Sequence, residues 1–377
     1  MVDAVAELAN HGLALLRAGD AVAARRALED VAQAGRASAG LFVLLADACA
    51  RTGDDGAADA ALDQALAIDP RNLAALTVKG DRMHAAGDDR AAAAWYTMVL
   101  STVQRLGGVP REAESLVARA QRGLGVAQAR FDAHLNGALA GIAAGPRFDE
   151  ARAILAGRIE PQLQAPTSFY YPGLPQTAFY PREAFDWVAG LEAAAPAIRA
   201  ELDCVLTTRE GFRPYVEADP MRPNKGHALL HSDAWSAFHL YQSGEPVAEN
   251  AARCPATMAA LDRVPLPFIG GRSPMALFSL LKPHTHIPPH HGMLNTRLIV
   301  HLPLIVPPNC RLRVGNHTHA VEAGRAMIFD DSILHEAWND SDDTRVVLLF
   351  EIWRPELSTA ERDALTRLFE ATGSYTR

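Results

Sequence analysis

Five of the chain's 14 histidines fall within residues 281–301, L-K-P-H-T-H-I-P-P-H-H-G-M-L-N-T-R-L-I-V-H. One more, His335, stands alone in F-D-D-S-I-L-H-E-A-W, and ten residues later Arg345 opens the apolar run R-V-V-L-L-F-E-I-W. Imidazoles contributed by segments distant in sequence are a common way to hold a divalent transition metal. An arginine adds a planar fork that matches a carboxylate. Together these residues point to a metal site that also holds an anionic co-substrate.

In the strand expected from Asn295 onward, side chains alternate between faces, so Arg297, Ile299 and His301 share one face and Leu298, Val300 and Leu302 the other. A basic residue and an imidazole on one face of an apolar strand are costly unless something anionic meets them. His290 is expected just before this strand, on an approach stiffened by Pro288-Pro289, and His335 in the turn after M-I-F-D-D. Residue types alone leave His284, His286, His290 and His291 as equal candidates for a ligand. Asp330, Asp331 and Glu336 flank His335, where a carboxylate either completes a metal site or braces the turn. Trp338 and Trp353 read as core.

The elements that must position these residues are strands. A-F-H-L-Y-Q, M-A-L-F-S-L-L, N-T-R-L-I-V-H-L-P-L-I-V, C-R-L-R-V, R-A-M-I-F-D and R-V-V-L-L-F-E-I-W follow one another from Trp235, separated by Pro, Gly and Asn turns. Short strands at close spacing predict a β-sandwich or jelly roll. Ahead of them, S-F-Y-Y-P-G-L-P-Q-T-A-F-Y-P is too rich in proline for a helix interior and marks a boundary at Ser168. One helix is expected over about residues 182–203, with Pro196 as an internal stop.

The first hundred residues carry a repeat. Gly-Asp recurs at Gly19-Asp20, Gly53-Asp54 and Gly87-Asp88, a period of 34. Leu8, Phe42 and Leu76 keep that register, as do Gly12, Ala46 and Gly80, then Ala24, Ala58 and Ala92, then Leu28, Leu62 and Tyr96. Large and small apolar positions around a Gly-Asp turn describe paired helices packed closely, and Pro70 closes the second unit. The pattern resembles the tetratricopeptide repeat, whose stacks commonly present a surface to peptides or partner proteins. The expected organisation is helical repeats over residues 1–106, capping helices and a connector over 107–167, and a β-domain over 168–377.

Composition narrows the function. The net charge of −8 leaves no basic face for nucleic acid, and no apolar run is long enough for a membrane span. The N-terminus lacks the features of a signal peptide. Cys49, Cys204, Cys254 and Cys310 are scattered without a C-x-x-C, as expected of reduced thiols in a cytoplasmic protein. No H-E-x-x-H motif supports zinc hydrolysis.

The segments F-S-L-L-K-P-H-T-H-I-P-P-H-H-G-M-L-N-T-R-L-I-V-H-L-P-L, M-I-F-D-D-S-I-L-H-E-A-W-N-D and R-V-V-L-L-F-E-I-W-R-P-E-L closely resemble the aspartyl/asparaginyl β-hydroxylase family. With F-Y-Y-P-G-L-P, the resemblance covers about residues 168–357. Tetratricopeptide repeats ahead of such a domain also occur in that family. The resemblance implies a double-stranded β-helix and a dioxygenase using Fe(II), O2 and 2-oxoglutarate as co-substrate. It selects His290 and His335 as the iron ligands and gives Arg345 the distal carboxylate of 2-oxoglutarate, with Ser279 and His301 beside it. Arg297 is a further candidate for the same pocket. Many 2-oxoglutarate oxygenases carry His-x-Asp/Glu; here the third position is Gly292, in keeping with a family in which two histidines suffice. Animal relatives have an arginine where this chain has Ile299, so the animal mode of substrate binding does not carry over directly. The implied reaction hydroxylates the β-carbon of an aspartyl or asparaginyl residue in a peptide or protein recruited by the repeats. The alternatives are the same chemistry on a free amino acid, small metabolite or acyl chain, and a non-catalytic adaptor.

Overall fold

The computed structural model describes residues 2–35, 37–218, 226 and 228–375. The chain divides into two compact units, Met1–Arg158 and Ile159–Arg377. The first unit is helical: α1 (Val2–Ala18), α2 (Ala21–Gln33), α3 (Ala39–Arg51), α4 (Asp55–Ile68), α5 (Leu73–Ala85), α6 (Asp89–Arg105), α7 (Glu114–Ala138) and α8 (Pro146–Leu155). The Gly-Asp dipeptides make its tight turns. Gly19, Gly53 and Gly87 hold φ of +84°, +79° and +81°, a region open to glycine at little cost. Asp20, Asp54 and Asp88 then cap the next helix, accepting from the backbone N–H of Ala23, Ala57 and Ala91. At the small positions Gly12 and Gly80, a Cβ would collide with Leu28 and Tyr96, so glycine sets how closely the paired helices approach. Gly123 of α7 presses on the other side of the Tyr96 ring, which makes α7 the cap of the last repeat. This unit is a tetratricopeptide-like stack.

The second unit holds the strands β1 (Phe179–Tyr180), β2 (Arg213–Pro214), β3 (Trp235–Gln242), β4 (Glu245–Pro246), β5 (Ala276–Leu281), β6 (Thr285–His290), β7 (Arg297–Ile305), β8 (Cys310–Val314), β9 (His317–Ala320), β10 (Met327–Phe329), β11 (His335–Asn339) and β12 (Arg345–Trp353). They form a large antiparallel sheet in the order β1-β10-β7-β12-β5-β3-β2, with β4 beside β3, and a smaller sheet β6-β11-β8-β9. The helices of this unit are α9 (Val188–Thr208), α10 (Ala248–Ala252), α11 (Pro255–Leu261) and α12 (Thr359–Tyr375). Alternation sorts the large sheet into two faces. Phe238, Phe278, Val300, Leu348 and Phe350 pack outward on Leu191, Ile198 and Leu202 of α9 and Leu261 of α11. Trp235, Leu277, Ile299, Val347 and Leu349 pack inward with Ile287, Leu312 and Ala337 of the smaller sheet. The result is a double-stranded β-helix with its site between the sheets.

Several local expectations change. Pro196 lies inside α9 and does not stop it. The buried face of that helix outweighs the roughly 3 kcal/mol an internal proline costs. The segment 182–187 stays outside α9, with only a single 3-10 turn at Arg182–Ala184. Residues 159–167, read as the end of a connector, belong to the second unit: Ala165 N–H donates to the Ser332 carbonyl and Thr167 N–H to that of Gly292. His335 opens strand β11 rather than sitting in a turn, and His290 ends a strand that contains Pro288 and Pro289. The prolines are tolerated because β6 is at a sheet edge, where their missing N–H faces no partner. No helix among the described residues is long and apolar enough to cross a membrane.

Candidate active site

A cavity of about 720 Å³ opens between the sheets, and its walls include Ser279, His290, Arg297, His301, Asp331, His335 and Arg345. Its inner end is built by adjoining strands of the large sheet. Arg345 and Leu281 are register partners on β12 and β5, Val347 pairs with Ser279, and Leu349 pairs with His301. Arg345 is 2% exposed, yet its Nε and Nη2 have no hydrogen-bond partner. Burial draws its pKa down to about 10, so the guanidinium stays charged at neutral pH. A buried cation without a counter-charge is costly. This one is arranged for an anion. Beside it, Ser279 Oγ accepts from Trp235 Nε1 at 3.0 Å, which leaves the hydroxyl proton free to donate. His301 is buried, its Nδ1 lacks a partner, and burial next to Arg345 holds it well below the usual imidazole range.

The smaller sheet supplies two imidazoles. His290 and His335 are register partners on β6 and β11, with ring centroids 4.1 Å apart. A bulge between His335 and Ala337 lets His290 and Ile287, three residues apart on β6, both face the cavity. Each imidazole is oriented by the backbone: His290 Nδ1 meets the Pro288 carbonyl at 2.8 Å and His335 Nδ1 the Ile333 carbonyl at 3.1 Å. A carbonyl only accepts, so Nδ1 carries the proton in both rings and Nε2 is left with its lone pair. Burial, then the neighbouring His290, push the His335 pKa down to about 3, which keeps it neutral. Two neighbouring imidazoles, each fixed through Nδ1 and unprotonated at Nε2, fit a transition metal. The neighbouring histidines are spent elsewhere. His284 pairs with Asp342, His286 with Glu336 while stacking on Trp338, and His291 Nδ1 donates to the Ser332 carbonyl.

The carboxylates near His335 also separate. Asp330 accepts from Arg354, Gln164 and Ser332, and so braces the loop before β11. Glu336 points to the opposite face, between His286 and Arg313. Only Asp331 of these three lines the cavity, with Oδ1 unpartnered. Burial raises its pKa to about 6, against the lowering effect of Arg297. A Cβ at Gly292 would overlap the Asp331 carboxylate, so no side chain fits at the third position of His290-His291-Gly292. No group of three or more His, Cys, Asp or Glu side chains poised for a metal occurs among the described residues.

Arg297 does not join the Arg345 group. It lies four residues from His301 along β7, ion-paired to Glu351 and with Nη2 3.6 Å from Asp331 Oδ2. Glu351 itself lies six residues from Arg345 on β12, roughly 20 Å along an extended strand. Glu351 was not anticipated. Its inward alternation on β12 was visible in the sequence, but the pairing with β7 that puts it beside Arg297 was not. Trp338 is also no core residue. It stands on the outer face of β11, stacked by His286 on β6 and covered by Arg311 on β8.

Comparison with known proteins gives this site a lineage. The model of the aspartyl/asparaginyl beta-hydroxylase family matches residues 192–355. The ornithine lipid ester-linked acyl 2-hydroxylase of Rhizobium tropici is 36% identical over 193 residues, covering 50% of this chain and 65% of that protein. Human aspartyl/asparaginyl beta-hydroxylase is 38% identical over 139 residues, 36% of this chain and 18% of that protein. The chain thus spans less than two thirds of the length of either relative. A solved structure of PcrH in complex with the chaperone-binding region of PopD covers 34% of this chain and 95% of its own, with 18% identity and a TM-score of 0.32. The segment that matches the aspartyl/asparaginyl beta-hydroxylase family model contains both imidazoles, Ser279, His301, Arg345 and the strands that carry them, so the similarity falls on the part of the second unit that builds the cavity.

Proposed function

We propose that the second unit is an Fe(II)- and 2-oxoglutarate-dependent dioxygenase that hydroxylates an unactivated carbon. The observation that carries this reading is the buried Arg345 guanidinium, whose Nε and Nη2 lack a partner among the described residues, in the same cavity as two imidazoles whose Nδ1 atoms are held by backbone carbonyls. His290 and His335 would hold the metal. Arg345, with Ser279 donating a hydrogen bond, would hold the distal carboxylate of 2-oxoglutarate. Bound there, iron with O2 supplies the oxidation, as 2-oxoglutarate gives up two electrons and becomes succinate and CO2. The chain's own contribution is placement and dryness. Phe329, Leu349 and Ile287 wall the site with apolar surface, and backbone carbonyls fix both ligand rings. Asp331, whose carboxylate fills the space beside Gly292, would add a hydrogen-bond acceptor to the same cavity wall.

The substrate in this reading is an aspartyl or asparaginyl residue of a peptide or protein, with the repeat unit as its recruiting surface. A second reading, hydroxylation of an acyl chain, is favoured by the cavity's apolar walls and by the similarity to a protein named as an acyl 2-hydroxylase. Anaerobic titration with Fe(II) and then 2-oxoglutarate tests the shared chemistry. A visible charge-transfer band is expected, lost in His335→Ala with the fold retained by circular dichroism. Well-folded protein without a band, or a band unchanged in His290→Ala and His335→Ala, would sink the assignment.

A further inference from the structure

The two imidazoles stand on strands of the smaller sheet, but the loops beside them are held from outside that sheet. Residues 164–169 bond to both loops. Before His335, the Ser332 carbonyl accepts from Ala165 N–H at 2.8 Å. After His290, the Gly292 carbonyl accepts from Thr167 N–H at 2.9 Å, and that of Met293 from Ser168 and Phe169 N–H at 3.0 Å. Gln164 joins the same two loops through its side chain. Its Nε2 donates to Asp330 Oδ2 at 2.6 Å and to the Pro175 carbonyl at 2.9 Å. Its Oε1 accepts from Asn295 Nδ2 at 3.0 Å. Arg354 closes the circuit, its Nη1 donating to Asp330 Oδ2 at 2.7 Å and to the Asn295 carbonyl at 3.2 Å. Asn295, Asp330 and Arg354 are fully buried, and Gln164 is 8% exposed. Gln164 also lies outside residues 192–355, where the family model matches.

We infer that Gln164 is a positioning residue for the two-imidazole site, tying the loop after His290 to the loop before His335. This rests on the hydroxylase reading, in which those imidazoles hold a metal. A buried polar network whose members are all satisfied specifies one arrangement of the segments it joins, because any other strands a polar group. On one side the network runs to a ligand ring. Asp330 accepts from the Ser332 N–H and hydroxyl, and the next carbonyl, that of Ile333, orients His335 Nδ1. On the other side Asn295 holds the far end of the loop that begins at His291, and His291 Nδ1 bonds back to the Ser332 carbonyl. Two rings that must present Nε2 to one ion depend on the spacing of these loops. Arg345 is fixed separately, by the pairing of β12 with β5.

Binding linkage is reciprocal: if these residues favour the metal-binding arrangement, a bound metal must in turn stabilise them. The full chain is titrated anaerobically with Co(II), whose visible bands report binding, and hydrogen exchange is followed in peptides spanning residues 162–169. Exchange there should slow about fivefold with Co(II) bound. Gln164→Met keeps the length of the side chain and removes its amide; Co(II) affinity should fall about tenfold, the low end for groups that orient ligands. Glu201→Gln is the comparison. Glu201 caps α11 by accepting from Ala256 and Thr257 N–H, so this change should lower the melting temperature while Co(II) affinity stays within about twofold. Unchanged exchange on Co(II) binding overturns the inference alone, and so does a Gln164→Met affinity loss no larger than that of Glu201→Gln. Should Gln164→Met fail to fold, the wild-type exchange decides. Well-folded wild type that binds neither Co(II) nor Fe(II) takes down the hydroxylase reading and the inference with it.

Discussion

Two arginines face the same cavity from neighbouring strands, and they are in opposite electrostatic states. Arg345 on β12 is buried without an ion-pair partner among the described residues, while Arg297 on β7 is held by Glu351 and faced by Asp331. Among the described residues no carboxylate is ion-paired with Arg345, although β-strand alternation would have allowed one at Val347, its same-face neighbour. At the other end there are two. An unpaired buried charge suits an incoming anion, and one ion-paired by carboxylates is part of the wall. In the proposed reading the difference would give the anionic co-substrate to the Arg345 end and leave the Arg297 end as ion-paired wall.

Substitutions at each arginine's end should therefore split stability from binding in opposite directions. Arg345→Met is expected to weaken 2-oxoglutarate binding about a thousandfold, or about 4 kcal/mol, as is usual when one partner of a buried charged contact is removed. The unliganded protein should be no less stable, because the change deletes an uncompensated charge. Isothermal titration and thermal unfolding of the same samples read both effects. A large drop in melting temperature with unchanged affinity would reverse the roles of the two ends. Glu351→Gln should behave the other way. Breaking a buried pair costs about 3 kcal/mol of folding stability, measured by urea unfolding, while 2-oxoglutarate affinity stays within about threefold. Loss of affinity comparable to that of Arg345→Met would show that the ends are not independent.

The sequence revealed most where the physics is local. The Gly-Asp period was readable because a left-handed glycine and an aspartate N-cap act within four residues, whatever the rest of the chain does. The strands of the large sheet were readable by alternation, including the shared face of Arg297, Ile299 and His301. Strand β6 was hidden because two prolines read as breakers, and only its edge position in the smaller sheet makes them harmless. His335 looked like a turn residue because D-D-S does form a tight loop; β11 begins at His335 itself. Least visible were relations fixed by register. Glu351 reaches Arg297 across 54 residues of sequence, and Asp331 fills the space that Gly292 leaves open, so neither partnership has a spacing that could be recognised in advance.

The Asp331 carboxylate offers the finest test of the contrast, because its cost depends on pH. Burial raises its folded-state pKa to about 6, from an ordinary value of 3.8, despite the help of Arg297. An acid whose folded pKa is raised prefers to be protonated in the fold. Below pH 3.8 both folded and unfolded chains carry the proton and there is no penalty; above pH 6 both are ionised and the penalty is complete. At about 1.4 kcal/mol per pKa unit, the ionised Asp331 subtracts on the order of 2–3 kcal/mol from stability at neutral pH. Asp331→Asn resembles the protonated acid. In the presence of a chelator it should therefore stabilise the protein at pH 7.5, with the gain shrinking as pH falls from 6 and nearly gone at pH 4. Comparing variant with wild type at each pH cancels every other titrating group. A gain that is equal at both pH values would mean the benefit comes from packing. A loss at pH 7.5 would mean that Arg297 needs the second carboxylate, so the paired end of the cavity would be a three-membered ionic structure in which Asp331 is a full partner.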